Sequence, residues 1–79
     1  SLALYNNDFV LRQADDLAIQ IQRRAGDSTA QKIEQAFLSV LQRAPTPSEV
    51  ELGSEFLATQ ELFLFCRILF NSSEFLYVD

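Results

Sequence analysis

The side chains in this sequence that have chemistry to offer are paired carboxylates, one thiol and a few guanidiniums. Asp15 and Asp16 are the only adjacent acidic pair. Consecutive helical residues diverge by roughly 100°, so the two cannot converge on one substrate or ion by themselves. Arg12 lies four residues before Asp16, the spacing of an ordinary surface pair. Glu51 and Glu55 do share a helical face, but there they repel, and a Ca2+ between them would need ligands from elsewhere. No Asp-rich loop with a turn glycine accompanies them. Both pairs read as solvated surface. Cys66 sits among Leu64, Phe65, Ile68 and Leu69, surroundings that raise a thiol's pKa and suppress its reactivity, so it reads as a core residue rather than a nucleophile. The sequence has no histidine and one cysteine. That excludes a Cys/His zinc site, a Cys-His or Ser-His catalytic pair and a C-x-x-C-H haem attachment within the chain. No catalytic residue, metal ligand or cofactor contact is expected in it.

Two arginines stand out by context. Arg67 interrupts the apolar run 62–70 and needs a partner there. Glu74, Asp79 or a backbone carbonyl at a neighbouring helix end are the candidates, and its role is structural or interfacial. Arg43 is placed to bridge the end of one helix to a carboxylate such as Glu49 or Glu74. The aromatic residues Phe63, Phe65, Phe70, Phe75 and Tyr77 either line a ligand groove or, more readily, form core and partner contacts. With Arg67 they are the candidate interaction residues.

Composition sets the frame. A chain of 79 residues buries only ~60% of the surface its unfolded form exposes, so its core is thin. Six basic against eleven acidic residues give a net charge of −5, the wrong sign for a nucleic-acid or anionic-membrane binder. With 48% hydrophobic and 22% charged residues the chain is globular rather than disordered. No apolar stretch approaches the ~20 residues that span a bilayer. Residues 2–5 form a short apolar run that meets Asn6, Asn7 and Asp8 at once, which is no signal peptide. If the chain is a piece of a longer protein, such a signal would lie upstream.

The elements that carry these residues are four helices. In the first, about 9–24, Val10, Ala14, Leu17 and Ile21 repeat at helical spacing. Asn7 or Asp8 can cap its start, Arg23 and Arg24 complement the dipole at its end, and Gly26 supplies a left-handed stop. The second begins at Asp27 or Ser28 and reaches Gln42 or Arg43, with Ile33, Ala36, Phe37, Val40 and Leu41 on one stripe. Pro45 is expected to close it by forcing Ala44 out of the helical region. Thr46, Pro47 and Glu49 then form a capping box for a third helix, about 47–59. Its stripe is Val50, Gly53 and Leu57, flanked by Leu52 and Phe56. Gly53 costs ~1 kcal/mol inside a helix relative to Ala, which a close approach of another helix would explain. The fourth helix, about 61–71, is apolar on every face and must be central or covered by something else. Phe75, Leu76 and Tyr77 would follow in a short C-terminal turn that folds back on the bundle.

Three stretches together resemble a known family. They are Asn6-Asn7-Asp8-Phe9-Val10, like an Asn-Asp-Pro-Phe-Val motif; Arg43-Ala44-Pro45-Thr46-Pro47-Ser48-Glu49, like Arg-Pro-Pro-Thr-x-x-Glu; and Asn71-Ser72-Ser73-Glu74-Phe75-Leu76-Tyr77-Val78-Asp79, like Asn-Ser-Asn-Glu-Phe-Leu-Tyr-Val-Asp. In this order they resemble the C-terminal end of the planctomycete secreted-protein domain of unknown function (PSD type, DUF fifteen-fifty-three), over nearly the whole chain. The resemblance implies the tail of a large exported protein, with another uncharacterised domain and often a cytochrome-c-like domain upstream. It transfers no catalytic residue. The chain departs from the pattern at Asp8, where the family has Pro, at Gln42, where it often has Gly, and at Ser73, where it often has Asn. The spacer near Thr59, Gln60 and Glu61 is also shorter than the resemblance leads one to expect. A weaker similarity, Phe-x-x-x-Leu-x-Arg-x-Pro followed by a helix and Ser-x-Glu-Phe, is to the helical modules of phycobilisome linkers and surface-layer-associated proteins, which are scaffolds.

The expectation is therefore a single all-α domain, a small bundle of four helices with short connections. It would act as a non-catalytic structural or interaction module, exported by resemblance. Its partner would be upstream domains of the same protein or a second copy, met through the fourth helix. The alternative is an independent binding module whose aromatic groove holds a peptide, carbohydrate or lipid.

Overall fold

The computed structural model describes residues 8–72. They form four α-helices: α1 (Asp8–Ala25), α2 (Thr29–Leu41), α3 (Pro47–Thr59) and α4 (Leu62–Phe70). The Asn7 cap and the turn at Phe75, Leu76 and Tyr77 lie outside the described residues. The connections are short, which makes sequence neighbours spatial neighbours. α4 packs most extensively on α1 and also meets α2 and α3; α2 likewise touches the other three, and α1 and α3 are the one pair that does not meet.

α1 buries Val10, Ala14, Ala18 and Ile21, the expected stripe except that Ala18 goes inside and Leu17 stays half-buried. Small residues at 14 and 18 let α4 approach this face. Arg12 donates from Nε to the Asp8 carbonyl at 3.3 Å, turning back along the helix rather than forward to Asp16. α1 ends as expected: Gly26 has φ 58°, its amide donates to the Gln22 carbonyl, and the Gln22 side chain donates to the Gly26 carbonyl at 3.0 Å. Ser28 caps α2 by accepting from the Gln31 amide. Ile33, Ala36, Phe37 and Val40 are its buried face.

The end of α2 corrects the sequence expectation. The helix stops at Leu41 rather than at Gln42 or Arg43, and Pro45 is not what stops it. Gln42 adopts the left-handed conformation, φ 58° and ψ 34°, and its amide donates back to the Phe37 carbonyl. Left-handed backbone costs a residue with a Cβ roughly 1 kcal/mol or more, whereas glycine adopts it freely. This is the position at which the resembled family often carries Gly.

α3 starts in the capping box read from the sequence: the Glu49 amide donates to Thr46 Oγ1 at 3.2 Å, and the Thr46 amide donates to Glu49 Oε1 at 2.8 Å. Its buried residue is Gly53. A Cβ there would stand 3.1 Å from Ile33 Cδ1 and 3.3 Å from Phe65 Cζ, so the glycine is where α3 closes on both α2 and α4. Only Gln60 and Glu61 separate α3 from α4.

In α4, Phe65, Cys66 and Leu69 are buried. They join Ala14, Ala18 and Ile21 of α1 and Ile33, Ala36, Phe37 and Val40 of α2 in one core. The Phe65 ring lies 6.1 Å from that of Phe37 and 6.0 Å from that of Phe56, both tilted, a favourable aromatic arrangement. Each such large side chain contributes ~1.5–3 kcal/mol by leaving water. Asn71, itself buried, closes α4 by donating from its backbone amide and from Nδ2 to the Arg67 carbonyl.

Two substitutions test this reading. Gln42→Gly should raise the stability of the chain by ~1 kcal/mol in urea unfolding; no change would mean that the left-handed stop carries no strain. Gly53→Ala gains ~1 kcal/mol of helix propensity but overpacks a filled core, which costs ~1–3 kcal/mol. A lower melting temperature is expected, and a rise would mean that Ile33 and Phe65 yield freely.

Candidate functional site

α4 shows two flanks, and the candidate interaction residues divide between them and the core. On one side α4 faces α1 across a groove of about 840 Å³ lined by Asp15, Ala18, Ile19, Gln22, Arg23, Leu62, Phe63 and Arg67. The α1 residues at 15, 19, 22 and 23 recur at i, i+4, i+7 and i+8, so one helical face forms that wall. On the other side α4 and α3 enclose a smaller, apolar hollow of about 200 Å³, with Leu52, Gly53, Phe56 and Ile68 among its lining.

Arg67 is held in the larger groove. Its guanidinium lies over the Phe63 ring, 4.7 Å from the centroid, a cation–π contact. Its carboxylate partner among the described residues is Asp15 of α1, 3.6 Å from Arg67 Nη2. That is an ion pair too long for a hydrogen bond. Arg67 Nε is shielded from water and has no hydrogen-bond partner among the described residues. The sequence reading sought the partner of Arg67 in Glu74, Asp79 or a helix-end carbonyl. Among the described residues it is Asp15, a member of the acidic pair expected at the solvated surface and still about half exposed; Glu74 and Asp79 lie outside them.

The remaining candidates are placed as follows. Phe63 is half-buried and lines the groove. Phe65, only 6% exposed, is a core residue of the bundle whose ring reaches the surface only in the lining of the small hollow, beside Phe37 and Phe56. Phe70 is half-buried against the core. Phe75 and Tyr77 lie outside the described residues. No aromatic groove is therefore formed by Phe63, Phe65 and Phe70 together. Sequence reasoning passed over Ile19, Leu52 and Ile68, which are 51%, 65% and 52% exposed. Ile19 had a signal in its position: it is apolar, yet falls off the stripe of α1.

A second polar constellation joins α2 to α3. Arg43 donates to both oxygens of Glu49, each at 2.7 Å, and to the Ala44 carbonyl at 3.0 Å, with its guanidinium 5.5 Å from the Phe37 ring centroid. Glu49 Oε1 also accepts the Thr46 amide. The Arg43 hydrogen bonds, then the Thr46 amide, lower the Glu49 pKa from 4.5 to about 2. A carboxylate so engaged is no proton acceptor near neutral pH. Thr46 and Glu49 thus cap α3, as the sequence indicated, and with Arg43 they clamp the turn. Cys66 is fully buried. Burial, with the Asp15 carboxylate adding to it, pushes its thiol up to about 12, so it stays protonated at neutral pH. Among the described residues no group of three or more His, Cys, Asp or Glu could hold a metal ion, and no helix is long and apolar enough to cross a membrane.

The turn clamp comprises Arg43, Thr46 and Glu49, three of the five fixed positions of the Arg-Pro-Pro-Thr-x-x-Glu motif that the turn resembles. Residues 1–57 match the family described as PSD1, protein of unknown function (DUF1553). The chain belongs to this family. The match covers well over half of the chain and includes the clamp, and it ends at Leu57, before α4. Among curated proteins and among solved structures, none matches.

The clamp predicts a pH signature. The folded pKa of Glu49 is below its ordinary value, so its contribution is fully present above about 4.5 and fades as pH falls towards about 2. The stability difference between the wild type and Glu49→Gln should be constant near neutral pH and shrink over that acid window. A pH-independent difference would mean that the carboxylate charge is not what holds the turn.

Proposed function

We propose that this chain is a non-catalytic helical interaction module, and that it packs against other parts of a larger exported protein through the flanks of α4. The carrying observation is the placement of Ile19, Leu52 and Ile68, each about half exposed or more, in the hollows beside one helix. Single exposed apolar residues are ordinary on a protein surface. Apolar residues gathered into grooves around one element are what partner surfaces present. Family membership supports the reading to the extent of the resemblance, in which this helical end follows an uncharacterised domain and often a cytochrome-c-like domain. Export is part of that proposal. The charge of −5 favours a protein partner over nucleic acid.

The alternative of an aromatic ligand groove is less well supported: Phe63 and Phe65 line different hollows, and Phe65 is only 6% exposed in the small one that it shares with Phe37 and Phe56. Light scattering during size-exclusion chromatography, over a concentration series of the 79-residue chain, tests the docking reading. The mass should rise above the 9.0 kDa of one chain as concentration increases, and Leu52→Ser with Ile68→Ser should return it to that of the monomer without loss of helicity. A monomer at every concentration, unaffected by the double substitution, would count against it.

A further inference from the structure

The α1–α4 groove carries a chemical preference that the α3–α4 hollow lacks. Its floor is apolar, built of Ala18, Ile19, Leu62 and Phe63. Arg23 and Arg67 also line it, and among the described residues Asp15 is the one carboxylate in the lining. Arg67 is fixed in place by the Phe63 ring and by Asp15 at 3.6 Å, yet none of its N–H groups donates a hydrogen bond to a described residue. Arg23 is exposed and has no ion pair among the described residues. On a chain of net charge −5 this is a local excess of positive charge beside apolar surface. A guanidinium pre-set by stacking, with its donors unspent, is suited to a carboxylate that brings its own apolar surroundings. The groove is open along two helices rather than closed over a small molecule, which suits a helical segment laid against it.

We infer that the α1–α4 groove receives an amphipathic helical segment of a partner polypeptide bearing a carboxylate within its apolar stripe, and that Arg67 and Arg23 take that carboxylate. This rests on the docking reading above and names the partner's chemistry for one flank. Asp15 acts as the occupant of Arg67 in the free protein and opposes the incoming charge, so its removal strengthens binding.

The probe is a capped helical peptide of about 15 residues, with leucines on one stripe and a single glutamate within it, compared with its glutamine and lysine counterparts. Binding to the isotope-labelled chain is followed by NMR. The glutamate peptide should shift the Nε–H signals of Arg67 and Arg23 and the amides of Ile19, Leu62 and Phe63, and should bind about tenfold more tightly than the glutamine peptide. Arg67→Met, which keeps an apolar stem over Phe63, and Arg23→Gln, which alters an exposed residue, should each abolish most of that preference. Asp15→Asn should increase it. If Arg67→Met fails to fold, as judged by circular dichroism, Arg23→Gln and Asp15→Asn carry the test. Equal binding of the glutamate and glutamine peptides in this groove would overturn the inference while leaving the docking reading intact. Binding confined to Leu52 and Ile68, or no binding of any peptide, would also overturn it; a chain that in addition stays monomeric in the scattering series would sink the docking reading as well.

Discussion

A helix of nine residues does not persist in water on its own, because nucleation costs more than two turns of hydrogen bonds return. α4 is such a helix, and its N-cap Glu61 makes no side-chain capping bond. It exists because Phe65, Cys66 and Leu69 are carried into a core shared with α1 and α2. The rest of the bundle is arranged around that burial. Ala14 and Ala18 leave room on α1. Gly53 leaves room on α3, where even a methyl group would press on Ile33 and Phe65. The three residues that give up side-chain volume all lie on faces turned to the core.

The same burial accounts for what remains outside. Eight of the nine residues of α4 are apolar, and a helix has more faces than its neighbours can cover in a chain this small. Phe65, Cys66 and Leu69 go in; Ile68 faces out beside Leu52, and Phe63 faces the α1 wall beneath Arg67. The two flanks differ because of what α1 and α3 bring to them. α3 contributes Leu52, Gly53 and Phe56, with Glu49 at the edge already engaged by Arg43, and the hollow is largely apolar. α1 contributes Asp15, Gln22 and Arg23, and the groove is charged.

Much of this could be read in the sequence, and the reasons are local. The stripe Ile33, Ala36, Phe37, Val40 needs only helical periodicity. Thr46, Pro47 and Glu49 mark a helix start because their side chains and backbone satisfy each other within four residues. Gly26 and Gly53 each answered to a single requirement, a left-handed stop and a close approach. What escaped was either non-local or against preference. The pairing of Arg67 with Asp15 joins residues on the first and last helices, and no spacing rule connects them. The burial of Phe65 beside the half-exposure of Ile68 depends on where the partners of α4 lie, since composition makes its faces nearly equivalent. Gln42 ends α2 in a conformation that its side chain disfavours. The one hint was the glycine often found there in the family. Arg43, Thr46 and Glu49 show what the family motif does physically: it fixes the turn on which α3 folds back towards the core.

The central claim is that α4 is integral to the bundle and not an appendage laid on three self-sufficient helices. Native-state hydrogen exchange measures this directly, because amides that open only with the whole fold report the global unfolding free energy. The amides of Cys66 and Leu69 should exchange at the free energy shown by Ile33 and Phe37 in α2, and all should respond alike to added denaturant. Exchange of the α4 amides through a separate opening, at markedly lower free energy while α1 and α2 stay protected, would contradict the account.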